Sequence, residues 1–488
     1  MKKQKIIIIG AGFASLSAAS YLAESGYNVT VLEKNETVGG RARQYKKDGF
    51  TFDIGPTFYW MPDVFENYFK DFNKNLKDYY SLKRLDPAYE VFFDDKTSVK
   101  IGGSYKKIKN TFKSIETNGD RKLDAFISNA ESNYKIAIQD LVYNPGESLL
   151  EIVSLKTFLK LKLFFQSIKG QVRSKFKNEK LRKILEFPVL FLGAKPSTTP
   201  AFYNFMNYAD LKLGTWHPEG GMYEVVKSME RLNTELNVEI ITNCSVEKIN
   251  IEGKTVKSVN TNKGEYKCDI LLSGADYAFT ETLLPMRLRQ YSENYWNSKT
   301  FAPSALLFFV GFNKKIDNVS HHSLFFDTDF EEHASTIYDS KTWPEKPLFY
   351  ASFPSITDKT TAPEPYEAGI FLIPIAPGLE DTESKREKYF KIIMDRLESF
   401  TDQNLQDAVL FKKSYSVNDF ISDYNSYKGN AYGLANTLTQ THILRPKLKS
   451  KKLTNLYFTG QLTVPGPGVP PSLISGKVVS ELIQKNHT

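Results

Sequence analysis

The sequence predicts an α/β protein with a doubly wound parallel sheet, a second domain on a mixed sheet, and a helical subdomain. Three observations predict it. A strand, a glycine turn, a helix and a second strand fill residues 5–33. Strongly apolar strands recur between residues 305 and 373. A glycine- and proline-rich loop, Val464 to Pro471, precedes a helix near the C-terminal end.

The opening unit begins with Ile6-Ile7-Ile8-Ile9, the pattern of a strand buried on both faces. Gly10-Ala11-Gly12 is a tight turn. A helix over Ser15 to Ser25 puts Leu16, Ala19, Leu22 and Ala23 on one face, and Gly26 ends it. Val29 to Leu32 is the second strand, closing on Glu33. This order reads as a Rossmann-like βαβ unit. Gly10 makes the turn, and Gly12 lets the backbone approach a pyrophosphate. The helix start at Phe13, Ala14 and Ser15 turns free N–H groups toward it. Glu33, followed by Lys34, stands where a carboxylate accepts from ribose hydroxyls and repels a 2′-phosphate. Ser15 replaces the third glycine of the motif, which serves helix–strand packing, so the fit there is tight.

Val38-Gly39-Gly40-Arg41-Ala42-Arg43 follows. A glycine pair and an arginine just past the second strand resemble the flavin-binding extension of the FAD-dependent amine oxidase and carotenoid desaturase superfamily; a plain loop is the alternative. Phe52-Asp53-Ile54-Gly55-Pro56-Thr57-Phe58-Tyr59-Trp60-Met61-Pro62-Asp63-Val64-Phe65-Glu66 resembles the bacterial-type phytoene desaturases, a branch of the carotenoid desaturase family. The resemblance implies FAD as cofactor, with Gly55, Pro56 and Thr57 along the flavin and Phe58 to Met61 facing the substrate. An ordinary aromatic core cluster is the alternative.

Residues 80–115 read as short strands, including Tyr89 to Phe93 and Ser98 to Ile101, and residues 120–186 as helices. Within the latter, Leu149 to Phe176 interleaves Leu149, Ile152, Val153, Leu155, Leu159, Leu163 and Ile168 with Lys156, Lys160, Lys162, Lys169, Arg173 and Lys175. Such a helix can lie in a bilayer interface with its lysines at the headgroups, or it can cover the protein's own core. The lipid-soluble substrate that the resemblance implies favours the interface. Pro218-Glu219-Gly220-Gly221-Met222 matches the same family where the chain returns to the flavin domain. His217 and Glu219 beside it invite catalytic roles, but a surface histidine and a helix-leading glutamate are the simpler reading.

From Val238 to Asp276 strands and short turns close the doubly wound sheet. By resemblance the backbone at Val246 meets the adenine. Ala305 to Phe312, Leu348 to Phe353 and Gly369 to Ile373 are apolar strands able to line a long channel, and Lys385 to Phe400 is a helix. The closing strand, Asn455 to Gly460, runs into Gln461, the Gly/Pro loop and a helix beginning near Pro470. By resemblance Gly460 contacts the cofactor's pyrophosphate, Gly468, Val469 and Pro470 contact its ring, and Gln461 belongs to the same cofactor site. The helix start can stabilise negative charge on a reduced flavin. The expected boundaries are 1–75, 215–290 and 450–488 for the FAD-binding domain, 76–119 and 291–449 for the substrate sheet domain, and 120–214 for the helical, membrane-associating subdomain.

The chain has 488 residues, enough for two or three domains. Its 35 Phe and 27 Tyr exceed the needs of a core and point to an aromatic-lined cavity or an apolar contact surface. A net charge of +8 without long basic blocks favours a membrane surface over nucleic acid. Cys244 and Cys268 form no motif, which fits a reducing cytoplasm. The histidines show no metal spacing, and the neighbours His321 and His322 should point apart on a strand. Neither a signal peptide nor a spanning helix is expected. The chain is expected in the cytoplasm, peripheral to the inner face of the cell membrane.

The resemblance covers nearly the whole chain and implies desaturation of phytoene or a downstream acyclic carotene, with a hydride passing to the flavin. A desaturase or isomerase of a later carotenoid, such as a hydroxylated one taken by a 3,4-desaturase, is the second reading. A flavin- and polyene-binding protein without turnover is the third. Lys177-Asn178 stands where related desaturases tend to carry Arg-Asp, which argues against an essential carboxylate there. No catalytic side chain and no metal are assigned. A membrane quinone or oxygen would reoxidise the flavin.

Overall fold

The structure, a computed structural model, describes residues 4–152 and 160–487. Strand β1 (Lys5–Ile9), helix α1 (Phe13–Glu24) and strand β2 (Asn28–Leu32) form the opening unit. A hairpin of β3 (Gln44–Lys47) and β4 (Phe50–Asp53) and helix α2 (Pro62–Lys70) follow. Next come β5 (Leu82–Arg84), β6 (Tyr89–Phe93) and β7 (Ser98–Ile101). Helices α3 (Tyr105–Ile115), α4 (Gly119–Lys135), α5 (Ile168–Lys175) and α6 (Glu179–Glu186) build the helical part. The chain returns through β8 (Trp216–Pro218) and α7 (Tyr223–Glu235) to β9 (Glu239–Ile241). Strands β10 (Val246–Glu252), β11 (Thr255–Thr261), β12 (Gly264–Lys267) and β13 (Ile270–Ser273) come next. Then follow β14 (Ser304–Phe312), β15 (His322–Phe326), β16 (Phe349–Ser352) and β17 (Glu367–Ile375). Helix α8 (Glu383–Thr401), β18 (Val409–Tyr415), β19 (Leu456–Phe458) and α9 (Val469–His487) finish the chain.

The parallel sheet has the order β19-β13-β1-β2-β9. Both faces of β1 are buried, as the isoleucine run requires. Ile6 and Ile8 pack with α1, α7 and α9. Ile7 and Ile9 pack with Val246, Ile249 and Val256 of a separate antiparallel sheet, β10-β11-β12. Those strands therefore cover the parallel sheet instead of joining it; β9, β13 and β19 complete it. Ile9 pairs with Leu32 on one side and Ser273 on the other. The carboxyl ends of three strands thus open on one edge, where doubly wound sheets bind ligands.

Head and tail of the chain meet at this edge. Helices α1 and α9 cross so closely that a Cβ on Gly476 would lie 2.5 Å from the Ala14 carbonyl oxygen. The Ser17 hydroxyl donates to Leu473 O at 2.8 Å.

The second sheet has the order β18-β14-β17-β16-β15-β6-β7 and is mixed, β15 and β6 being parallel. Every residue of β14 is buried. Leu306, Phe308 and Val310 face α8, while Ala305, Leu307 and Phe309 face Phe50 and Phe52 of the β4 hairpin. Burying each such side chain contributes about 1.5–3 kcal/mol.

Two further expectations are corrected. Residues 105–115 form a helix and not a strand: the Ser104 hydroxyl caps it, and Ile108 and Phe112, four apart, are its buried face. Leu149 to Phe176 is not one amphipathic helix. Residues 153–159, with Val153, Leu155, Lys156 and Leu159, lie outside the described residues. Beyond them the helical path breaks at Gln166, which is extended, and Ser167 caps a new helix, α5. Ile168, Val172 and Phe176 are fully buried, so this half covers the protein's own core.

Candidate functional site

One continuous cavity of about 810 Å³ runs from the carboxyl edge of the parallel sheet to the space beneath the seven-stranded sheet. Gly10, Gly12, Phe13, Ala14, Glu33, Lys34, Gly39, Gly40 and Arg41 line it from the N-terminal unit. Gly55, Pro56 and Thr57 line its middle. Val246 lines it from β10, and Gly460, Gln461, Gly468, Val469 and Pro470 from the tail. Ser15 does not reach it. Its hydroxyl is buried, without a hydrogen-bond partner, and faces Gly274, whose Cβ would lie 1.9 Å from it.

The glycines differ in what they do. Gly10 has φ +85° and sits against Ala275, so it is needed for both the turn and the approach. Gly12 has an ordinary φ of −80°, no side chain caps α1 there, and a Cβ on it would meet nothing within 4 Å. It faces open space at a helix N-terminus, the place for an anion. Gly39 and Gly40 have φ of +111° and +54°, and a Cβ on Gly40 would come within 3.2 Å of the Gly12 Cα. The two loops thus form one cradle.

Arg41 reaches into the same region. Its Nη2 donates to Ser426 Oγ at 3.1 Å and to Asn430 O at 3.3 Å, while its Nε has no partner. Burial pulls the guanidinium below its usual range. A desolvated cation with an unused donor beside a glycine cradle suits a diphosphate. Glu33 is buried, and its carboxylate accepts from Ala11 N at 2.7 Å, Asn35 N at 2.9 Å and Asn35 Nδ2 at 3.0 Å. It is held rigidly at the far end of the cradle.

At the bend, Gly55 touches Arg41: a Cβ there would lie 2.1 Å from the Arg41 carbonyl oxygen. Beyond it the walls become apolar, with Trp60, Phe187, Phe202, Phe205, Leu324 and Phe326 among them. Phe58, Trp60 and Met61 line this arm. Tyr59 does not; it stacks on Phe65 and shares a hydrogen bond of 2.7 Å with Tyr80 in the core.

Several further polar residues surround the site. His217 is not on the surface. It is buried, and its Nε2 lies 2.9 Å from Asp358 Oδ2. Glu219 is exposed ahead of α7. His321 and His322 do not point apart, because β15 starts only at His322; their ring centroids are 4.4 Å apart. Tyr350 bonds both Thr57 Oγ1, at 2.8 Å, and His322 Nδ1, at 2.6 Å. Arg445 is fully buried and donates to Thr463 O, Asn436 Oδ1, Gln440 O, Leu434 O and Gln461 O, all within 3.1 Å. It clamps the tail loop against the cavity. Asn178 caps α6, and the backbone N–H groups of Lys177 and Asn178 donate to Glu116. That position is structural. Among the described residues no group of His, Cys, Asp or Glu stands where it could hold a metal ion.

Comparison with known proteins places these features. A carotenoid 3,4-desaturase of Haloarcula japonica is 38% identical over 486 residues, covering 98% of both chains. A 4,4′-diapophytoene desaturase (4,4′-diaponeurosporene-forming) of Staphylococcus haemolyticus is 31% identical over 492 residues, again 98% of each. Among solved structures, an oxidoreductase of Methanosarcina mazei superposes with a TM-score of 0.62 at 17% identity, covering 98% of this chain and 100% of that one. A CLA-producing fatty acid isomerase of P. acnes gives 0.60 at 13% identity and covers 100% of both chains. These two share the fold. The family model described as flavin containing amine oxidoreductase matches residues 13–484, and with relatives above 30% identity along almost its full length the chain belongs to that family.

Proposed function

We propose that this protein is an FAD-dependent carotenoid desaturase, taking hydrogen from adjacent carbons of a polyene chain. One observation carries the reading: the glycine cradle and the apolar arm are two ends of the same cavity and meet at Gly55, Pro56 and Thr57. The names of the relatives, both carotenoid desaturases, point the same way.

The residues present fit FAD. Gly10, Gly12, Gly40 and the start of α1 would hold its pyrophosphate, with Arg41 and Gly460 opposite. Glu33 would take the ribose hydroxyls, and the backbone at Val246 the adenine. Gly55 to Thr57 and Gly468 to Pro470 would flank the ring, with Gln461 behind it. When bound, the flavin supplies the hydride acceptor. The chain's own part is to hold the substrate still and dry. The aromatic walls give a polyene a rigid apolar bed, and Arg445 fixes the loop that closes the cofactor end.

The 38% identical relative is named for a 3,4-bond, which favours a later carotenoid over phytoene as the substrate. The exposed side chains of Leu150 and Phe165, 79% and 83% accessible, lie near Lys160 and Lys162 in the sequence and support docking on a membrane surface. No helix among the described residues is long and apolar enough to cross a membrane. A membrane quinone or oxygen would complete the cycle.

Anaerobic mixing of the yellow holoprotein with a panel of acyclic carotenes and hydroxylated carotenoids tests the reading. The expected result is bleaching of the flavin band together with new long-wavelength polyene absorbance. A flavin that stays oxidised with every member of the panel refutes it.

A further inference from the structure

Removing a hydride from one carbon leaves a proton to be taken from its neighbour, and the cavity's apolar arm offers few groups to take it. One polar row leads away from the bend. Thr57 and Tyr350 line the cavity there, and Tyr350 Oη lies 2.8 Å from Thr57 Oγ1 and 2.6 Å from His322 Nδ1. His322 is 0% exposed, and its Nε2 has no hydrogen-bond partner. His321 follows at 4.4 Å between ring centroids, and its Nδ1 is likewise buried without a partner. His217 comes next, its ring 4.8 Å from that of His321, with Nε2 2.9 Å from Asp358 Oδ2. Asp358 Oδ1 accepts from the hydroxyl of exposed Thr360 at 2.7 Å. The row therefore runs from the cavity to the surface.

Buried polar atoms without partners are costly, about 1–3 kcal/mol each, and three of them gather here: His321 Nδ1, His322 Nε2 and Ser352 Oγ. A small cavity of about 10 Å³, lined by Thr57, His217, His321 and Ser352 among others, lies beside them. That is about the room one water needs. Asp53 also lines it, and burial pushes its carboxyl up to about 6. A structural core would fill such a place with apolar side chains. The three imidazoles meet edge to face, at interplanar angles of 69° and 61°, and unpartnered ring nitrogens beside room for a water suit proton transfer.

We propose that Tyr350, His322, His321 and His217 form a proton relay that carries the substrate's proton from the cavity to Asp358 and the surface. The proposal rests on the desaturase reading. In the step it serves, one C–H bond breaks with its two electrons leaving as hydride to FAD. The neighbouring C–H bond gives up a proton, and its electron pair becomes the new π bond. The proton goes to Tyr350 Oη as that hydroxyl's own proton passes to His322 Nδ1, and His322 releases a proton from Nε2 toward His321. Burial holds His321 and His322 well below the usual imidazole range, so both rest neutral, each with one ring nitrogen open to accept. Tyr350, which faces the cavity, is the catalytic residue; the histidines act through it.

The test compares wild type with Tyr350→Phe and His217→Gln as FAD-loaded proteins. Flavin reduction by the carotenoid that bleaches wild type is followed anaerobically in H2O and D2O. Wild type should show a solvent isotope effect above unity. Tyr350→Phe should reduce flavin about 100-fold more slowly, the usual contribution of a general base, and lose the isotope effect. Its FAD content and carotenoid affinity should be unchanged. His217→Gln should slow reduction less and keep part of the isotope effect. In a readout independent of turnover, 15N spectra of histidine-labelled protein should show Tyr350→Phe moving the signals of His322, His321 and His217 together. Wild-type rates in Tyr350→Phe, or a shift confined to His322, overturn the relay while leaving the desaturase reading intact. A wild-type flavin that no carotenoid reduces ends both.

Discussion

Gly12→Ala separates ligand binding from folding more cleanly than any other change at this site. Gly12 has φ −80°, which alanine adopts freely, and its added methyl would meet no protein atom within 4 Å. The protein itself therefore loses little. Alanine for glycine at a helix N-cap costs a few tenths to about 1 kcal/mol, and in a chain of this size that lowers Tm by under about 2 °C. The space the methyl takes is the space above the open end of α1, where a pyrophosphate would sit. Displacing it there weakens two charge-assisted hydrogen bonds, each contributing about 1.5–3 kcal/mol. Losing roughly 3 kcal/mol raises the Kd for FAD about 100-fold. Calorimetric titration of the apoprotein with FAD and thermal melting of both proteins provide the measurements. A Gly12→Ala protein that binds FAD as tightly as wild type would falsify the cradle assignment; one that melts far lower would show that the glycine serves the fold instead.

Four further outcomes follow from the geometry. Gly274→Ala should destabilise by about 1–3 kcal/mol, the usual cost of overpacking, because its Cβ would lie 1.9 Å from Ser15 Oγ; Ser15→Gly in the same chain should restore most of that in chemical denaturation, and no rescue would mean that the two residues do not collide. Burial pushes Asp210 up to about 7, so the folded state holds its proton more tightly than the unfolded chain and the stability it contributes is lost as pH rises from about 4 to 7. Asp210→Asn, which keeps an acceptor for the Tyr89 hydroxyl now bonded at 2.7 Å, should gain up to roughly 4 kcal/mol at pH 8 and nothing at pH 4; equal denaturation midpoints at pH 8 would contradict this. Arg445→Lys cannot serve all five acceptors that Arg445 reaches, and should copurify with less FAD and unfold about 1–3 kcal/mol more easily for each acceptor abandoned. Lys160→Glu with Lys162→Glu should release the protein from anionic liposomes in co-sedimentation, and unchanged pelleting would remove these lysines from the docking surface.

How much of this was legible in the sequence depends on whether the chemistry needs neighbours along the chain. Gly10, Gly12 and Glu33 are legible because a turn, a helix start and a strand end must follow one another to build the cradle. The residues from Gly55 to Met61 are legible for the same reason, except that Tyr59, midway along, turns into the core where its hydroxyl finds Tyr80. The amphipathic pattern of Leu149 to Phe176 suits bilayer and protein core equally, since both are apolar on one side. What decides it locally is Ser167, a cap that starts a new helix whose apolar face is fully buried. Ser104 is the same signal before α3. The polar row and the Arg445 clamp leave no such trace. Thr57 and His217 stand in or beside motifs, but nothing local joins them to each other or to His322, Tyr350 and Asp358, which lie in other stretches of the chain. Ser15 and Gly274 show the same limit from the packing side. The glycine that the opening motif lacks is supplied 259 residues later, on the strand end facing it. A local motif therefore reports what must be close in sequence, while complementary pieces of the same contact are free to lie anywhere that the sheet order brings together.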